Sequence, residues 1–176
     1  MTRVRIPTSL VLGGALAAAL AAASPRPAYA GPPWIAIELP ANPYDQTSRG
    51  AFLLVHAFHH GTPVAFPVSG TAEGIVNGQR KSVKLEFERT SRPGVYALRN
   101  QWGTEGEWTL VISLSPGENA VAQAMVQVNA AGEVFSVRVP TRQQGDWTIP
   151  RPVTTAEIDA SLRNRPVVAA SAAKQR

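Results

Sequence analysis

Residues 108–128 read Trp108-Thr-Leu-Val-Ile-Ser-Leu-Ser-Pro-Gly-Glu-Asn-Ala-Val-Ala-Gln-Ala-Met-Val-Gln-Val128. Trp108, Leu110, Ile112 and Leu114 alternate with Thr109 and Ser113. Ala122, Ala124, Val126 and Val128 alternate with Gln123, Met125 and Gln127. Side chains on a strand point to opposite faces in turn, so each half predicts a strand with one buried face. Pro116-Gly117-Glu118-Asn119 between them is turn chemistry. The stretch therefore predicts an antiparallel hairpin in an all-β protein.

The same grammar extends in both directions. Upstream, Trp34 to Leu39 is a short strand stopped by Pro40, and Asn42-Pro43-Tyr44-Asp45 is a turn. Ala51 to His59 is apolar on both faces, as in a central strand. Val64 to Val68 is strand-like, but Pro67 favours an edge or a bulge. Thr71 to Val76 leads into Asn77-Gly78, a strong hairpin signal. Val83, Leu85 and Phe87 alternate with Lys84, Glu86 and Glu88. Pro93-Gly94 turns into Val95 to Leu98, and Ala130-Ala131-Gly132 turns into Val134 to Val139. About eight strands at short, regular spacing over residues 31–140 predict an immunoglobulin-like β-sandwich, with a small closed barrel as the alternative.

The two ends read differently. Arg3 and Arg5, the apolar run Leu10 to Ala23 and the small-x-small pattern Ala28-Tyr29-Ala30 predict a signal peptide over 1–30, cleaved after Ala30. The apolar run falls short of the ~20 residues that cross a bilayer. The alternative is retention as an uncleaved anchor. Residues 141–176 read as a polar, basic tail. Within it Trp147 to Pro150 is a peg or extra strand, and Thr154 to Glu157 is a capping box opening a short helix near 154–163. Val167 to Arg176 is Ala-rich with a basic end and reads as disordered.

Composition bounds the chemistry. The 176 residues contain no Cys, which excludes a disulfide framework, a thiolate metal site and a Cys nucleophile. The net charge of +5 sits at the two ends, while residues 31–140 hold eight basic and nine acidic side chains. That balance argues against a nucleic-acid-binding face. No phosphate-binding loop or dinucleotide fingerprint is present, and no serine has a nucleophile context. The reading is of a protein that is not an enzyme and carries no cofactor.

His56-Ala57-Phe58-His59-His60 holds every histidine of the chain. His56 and His60 share a strand face about 13 Å apart, and His59 points the other way. If the strand ends near Phe58, His59 and His60 fall in the following loop and can converge on a metal ion. His56 is then packed or hydrogen-bonded inside. Of the four tryptophans, Trp108 belongs to the core. Trp102, beside Gly103-Thr104-Glu105-Gly106, is the one expected at the surface, where it could meet a carbohydrate or a peptide.

The run Pro93-Gly94-Val95-Tyr96-Ala97-Leu98, followed by Gly106-Glu107-Trp108-Thr109-Leu110-Val111-Ile112, resembles the later strands of small extracytoplasmic immunoglobulin-like domains of the YtkA-like and FixH-like type. Gly70 to Gly78 is similar to the middle of such domains, and the resemblance covers residues 34–128. It implies a non-catalytic, envelope-associated protein, in a neighbourhood where some members handle copper or assist oxidase assembly. This chain departs from relatives with an N-terminal copper brace, because its expected mature end is Gly31-Pro32-Pro33 rather than His. Methionine-rich copper segments are also missing.

These readings together predict an exported binding or accessory module, periplasmic or extracellular, that meets a partner protein through a sheet edge or loop tips. Metal handling through His59 and His60, with copper or zinc, is one alternative. A structural envelope component is another.

Overall fold

The structure, a computed structural model, describes residues 31–117 and 120–163. The signal-peptide reading of 1–30, Glu118-Asn119 of the first turn and the tail beyond 163 lie outside the described residues. Among the described residues, twelve strands and one helix appear in chain order. They are β1 (Trp34–Glu38), β2 (Leu53–His59), β3 (Thr62–Pro63), β4 (Val68–Val76), β5 (Gln79–Leu85), β6 (Phe87–Arg89), β7 (Val95–Leu98) and β8 (Glu107–Gly117). β9 (Ala120–Val128), β10 (Val134–Arg138), β11 (Thr141–Gln144), β12 (Trp147–Pro150) and α1 (Thr155–Arg163) follow.

Two antiparallel sheets face each other. One runs β1-β2-β7-β6, with β3 attached to β2; the other runs β10-β9-β8-β4-β5. Ile35, Leu53, Val55, Tyr96 and Leu98 of the first sheet share one core with Ala72, Leu85, Trp108, Leu110, Ile112, Leu114 and Val126 of the second. Facing apolar surfaces drive this packing, as in any β-sandwich. The expected all-β sandwich is the architecture observed.

The hairpin that opened the reading is real: Trp108 pairs with Val128 and Leu110 with Val126, with an irregularity between Leu114 and Gly117. The apolar strand Leu53–His59 is central, between β1 and β7. Its outer face, at Leu54, is sealed with Val95 and Ala97 under Ala41 and Ala51. Asn77 and Gly78 take φ of 52° and 76°, the positive pair that a two-residue hairpin turn requires.

The alternation Val83 to Glu88 is not one strand. β5 ends at Leu85 in the second sheet, and β6 begins at Phe87 in the first. Glu86 is the crossing residue. The Gln101 side chain replaces the missing strand partner there: its Oε1 accepts from Glu86 N at 2.9 Å and its Nε2 donates to Glu86 O at 2.7 Å. Periodicity continues through the crossing, so sequence alone could not see it. Val64 to Val68 also differs from expectation. Only Val68 belongs to a strand, because residues 64–67 carry the chain between sheets.

Gly74 has a packing role. A Cβ there would lie 2.5 Å from Cε3 of Trp108, so the indole occupies the space that any side chain at 74 would need. Trp102 corrects the sequence reading: it is 5% exposed and meets Phe52 edge-on at 5.0 Å. Among the described residues, the exposed rings are instead Trp34, Tyr44, Phe135 and Trp147, of which Tyr44 and Trp147 are the most open to solvent.

The segment after 140 joins the sandwich. β11 and β12 form a hairpin, so Trp147 to Pro150 is the extra strand foreseen. The capping box forms: Glu157 N donates to Thr154 Oγ1 at 3.2 Å, and Thr154 N to Glu157 Oε2 at 2.9 Å. The helix docks on β8, where Ser161 and the buried Thr109 share a hydrogen bond of 2.7 Å.

Candidate functional site

The His56–His60 segment divides in two. His56 lies on the outer face of β2, opposite Ala36 of β1. Its Nε2 donates to Glu38 Oε2 at 2.7 Å, and Arg92 Nη2 donates to the same oxygen at 2.8 Å. The Arg92 hydrogen bond is the main cause holding the Glu38 carboxyl below the usual carboxylate range, against a partial desolvation; the His56 bond adds to it. Of the two expected places for His56, packed or hydrogen-bonded, it takes the second: it is a hydrogen-bond partner of the Glu38 carboxylate on the outer face of β2. Glu38→Ala removes the acceptor that both His56 and Arg92 use. It is expected to cost about 1–2 kcal/mol in urea unfolding, and an unchanged midpoint would show the cluster to be energetically idle.

His59 and His60 stand side by side, although the strand does not end near Phe58 and His59 is its last residue rather than part of the loop. β2 runs to His59, which pairs with Thr62 of β3. His60 and Gly61 form the two-residue turn between them, with φ of 50° and 75°. The turn ends the strand alternation at His60, and the two rings meet edge-on with centroids 4.4 Å apart. The β1–β2 register then decides what lies beside them. Trp34 pairs with Phe58, so the residues preceding Trp34 run back past the His59–His60 corner. Accordingly His59 Nε2 donates to Gly31 O at 3.4 Å. A Cβ at Gly31 would sit 3.3 Å from both Cε1 and Nε2 of His60. Among the described residues, no group of three or more His, Cys, Asp or Glu is placed to hold a metal ion.

Three further features were not read from the sequence. A cavity of about 240 Å³ lies where α1 crosses the end of the second sheet, lined by Trp108, Phe135 and Leu162 with Thr109 and Gln127. Beside it runs β10, the edge of that sheet. Phe135 and Val137 of β10 are 43% and 42% exposed. The sequence showed a strand at Val134 to Val139, but which strand would be terminal depends on sheet order, which alternation does not encode. Glu157 was seen only as a capping residue. It also binds Arg151 through both oxygens, at 2.8 and 2.9 Å, and Arg138 of β10 at 3.1 Å.

Among the described residues, no helix is long and apolar enough to cross a membrane. Compared with known proteins, the chain matches no family model, no curated protein and no solved structure.

Proposed function

We propose that this protein is an exported, non-catalytic binding module of the cell envelope whose β10 edge receives an extended segment of a partner protein. The observation that carries this reading is the contrast between the two edges of one sheet. β5, at one end, displays Arg80, Lys81 and Lys84, the charged guard that keeps free edges from pairing. β10, at the other end, exposes Phe135 and Val137 and has no strand beyond it among the described residues. A free edge offers backbone donors and acceptors for strand addition, and apolar side chains beside it supply specificity. Arg3, Arg5, the apolar run and Ala28-Tyr29-Ala30 support export. The partial resemblance to YtkA-like and FixH-like domains points to the same compartment.

A photo-crosslinking amino acid placed at Phe135 or Val137 of the full chain, in intact cells, tests this. One dominant adduct with another protein is expected at both positions, and none from the same probe at Lys81. Equal labelling at all three positions, or adducts only between copies of this chain, would overturn the reading.

A further inference from the structure

We infer that removal of residues 1–30 completes a metal site at the His59–His60 corner, with the new α-amine of Gly31 as its third nitrogen donor. The site takes one divalent late-transition-metal ion, and copper(II) binds most tightly. The inference rests on the export reading, because the amine exists only if the chain is cut after Ala30.

The two imidazoles alone are a weak pair. What strengthens them is the backbone brought to their side by the β1–β2 register. His59 Nε2 stands 3.4 Å from the Gly31 carbonyl oxygen. Ligands at bond lengths of ~2.0–2.1 Å from one ion lie roughly 3 Å apart when adjacent and about 4 Å when opposite. The 3.4 Å contact lies between those two spacings, so a small turn of the His59 ring brings both atoms to one ion, with Nε2 giving up the proton it donates to the carbonyl. The tetrahedral position where a Gly31 Cβ would stand is 3.3 Å from His60 Nε2. The amine is bonded to the same Cα, and cleavage frees it to turn toward the ring. Gly31 N and O then close a five-membered chelate on the ion, with the two imidazoles completing an N₃O set.

The neighbouring residues favour this set over others. Pro32 has no amide N–H to lose, so the next backbone donor after the amine is the Gly31 carbonyl. Glycine at 31 leaves the His60 ring its place; a side chain there would press on Cε1 and Nε2. His56 is kept out of the site by Glu38. Nitrogen and oxygen donors without sulfur suit tetragonal copper(II), and the affinity order of divalent ions puts copper(II) above nickel(II) and zinc(II).

The test uses the full precursor, exported by a bacterial host and purified without a tag. Intact mass first identifies the N-terminus, and copper(II) is then titrated. A mass starting at Gly31 and one equivalent of copper(II), with an electron paramagnetic resonance signal coupled to three nitrogens, are expected. His59→Ala and His60→Asn are each expected to weaken binding by at least about tenfold, since even residues one step behind a ligand cost ~10–100-fold. Asparagine tolerates the positive φ at 60, so this variant keeps the turn. Ala30→Leu, which blocks cleavage, is expected to lose copper(II) to the same degree with both histidines intact. A mass that starts elsewhere overturns the cleavage reading, and the site falls with it. A Gly31 terminus with unchanged copper(II) binding in the histidine variants leaves cleavage standing and overturns the site alone.

Discussion

Trp108→Ala is expected to lower the unfolding free energy by about 3–5 kcal/mol, the cost of truncating a buried aromatic side chain. Trp108 is nearly fully buried on β8. Its ring lies in the notch left by Gly74 on the neighbouring strand, where the two residues are directly paired. Its Nε1 donates to Glu105 O at 2.9 Å, which ties the turn before β8 to the core. Alanine would empty the notch, open it to the adjoining cavity and leave the Glu105 carbonyl without that donor. Urea unfolding should show a lower midpoint with an unchanged slope. The reverse change makes the same point. Gly74→Ala puts a methyl group against the indole and is expected to cost about 1–3 kcal/mol by overpacking. The double variant Gly74→Ala, Trp108→Phe should cost less than the two single changes added together, because they share one space. Strict additivity would show that the notch does not couple them.

The second large effect is electrostatic. The Glu157 carboxyl is held down at about 2, first by hydrogen bonds from Arg151, then by the Thr154 backbone N–H, against a smaller cost of burial. Because its folded value lies below the ordinary 4.5, Glu157 stabilises the protein at pH values above about 4.5. That contribution fades as the pH falls toward 2. A fifth of the side chain still meets water. Solvent screening therefore reduces the full linkage value, leaving about 1–2 kcal/mol. Glu157→Gln should be less stable than the parent by that amount at pH 7, and the gap should close near pH 2. Glu38 and Asp45 are lowered as well, so the parent itself weakens in acid. The difference between parent and variant isolates Glu157. A gap that persists at pH 2 would assign the loss to the capping geometry rather than to charge.

Sequence and structure agree most closely where periodicity and turn chemistry state the same thing. The 108–128 hairpin, the Asn77-Gly78 turn and the Thr154–Glu157 capping box are all local, and local rules specify them. Trp102 misled because a glycine-rich turn beside an aromatic looks like an exposed tip, whereas Phe52, distant in sequence, covers it. The Glu86 crossing was invisible because a change of sheet leaves alternation intact. At the histidine segment, the expected meeting of His59 and His60 relied on a strand end near Phe58, whereas the strand keeps His59 and the turn begins at His60. The place of Gly31 was not legible there, because it depends on the β1–β2 register. The exposed edge at Phe135 and Val137 depends on strand order, a property of the whole fold.

The topology also sets the route by which the chain can fold. β4 with β5, β6 with β7, and β8 with β9 and β10 are neighbours in sequence and can zip from their own turns. Neither sheet is completed that way. The first needs Val55 to meet Tyr96, and the second needs Ala72 to meet Leu110. Each meeting closes a long loop before its contacts repay the lost entropy. Folding is therefore expected in the millisecond-to-second range of sandwiches dominated by distant pairings. In the interval before those two encounters, the chain consists of ready-made hairpins with every apolar face still open to its surroundings.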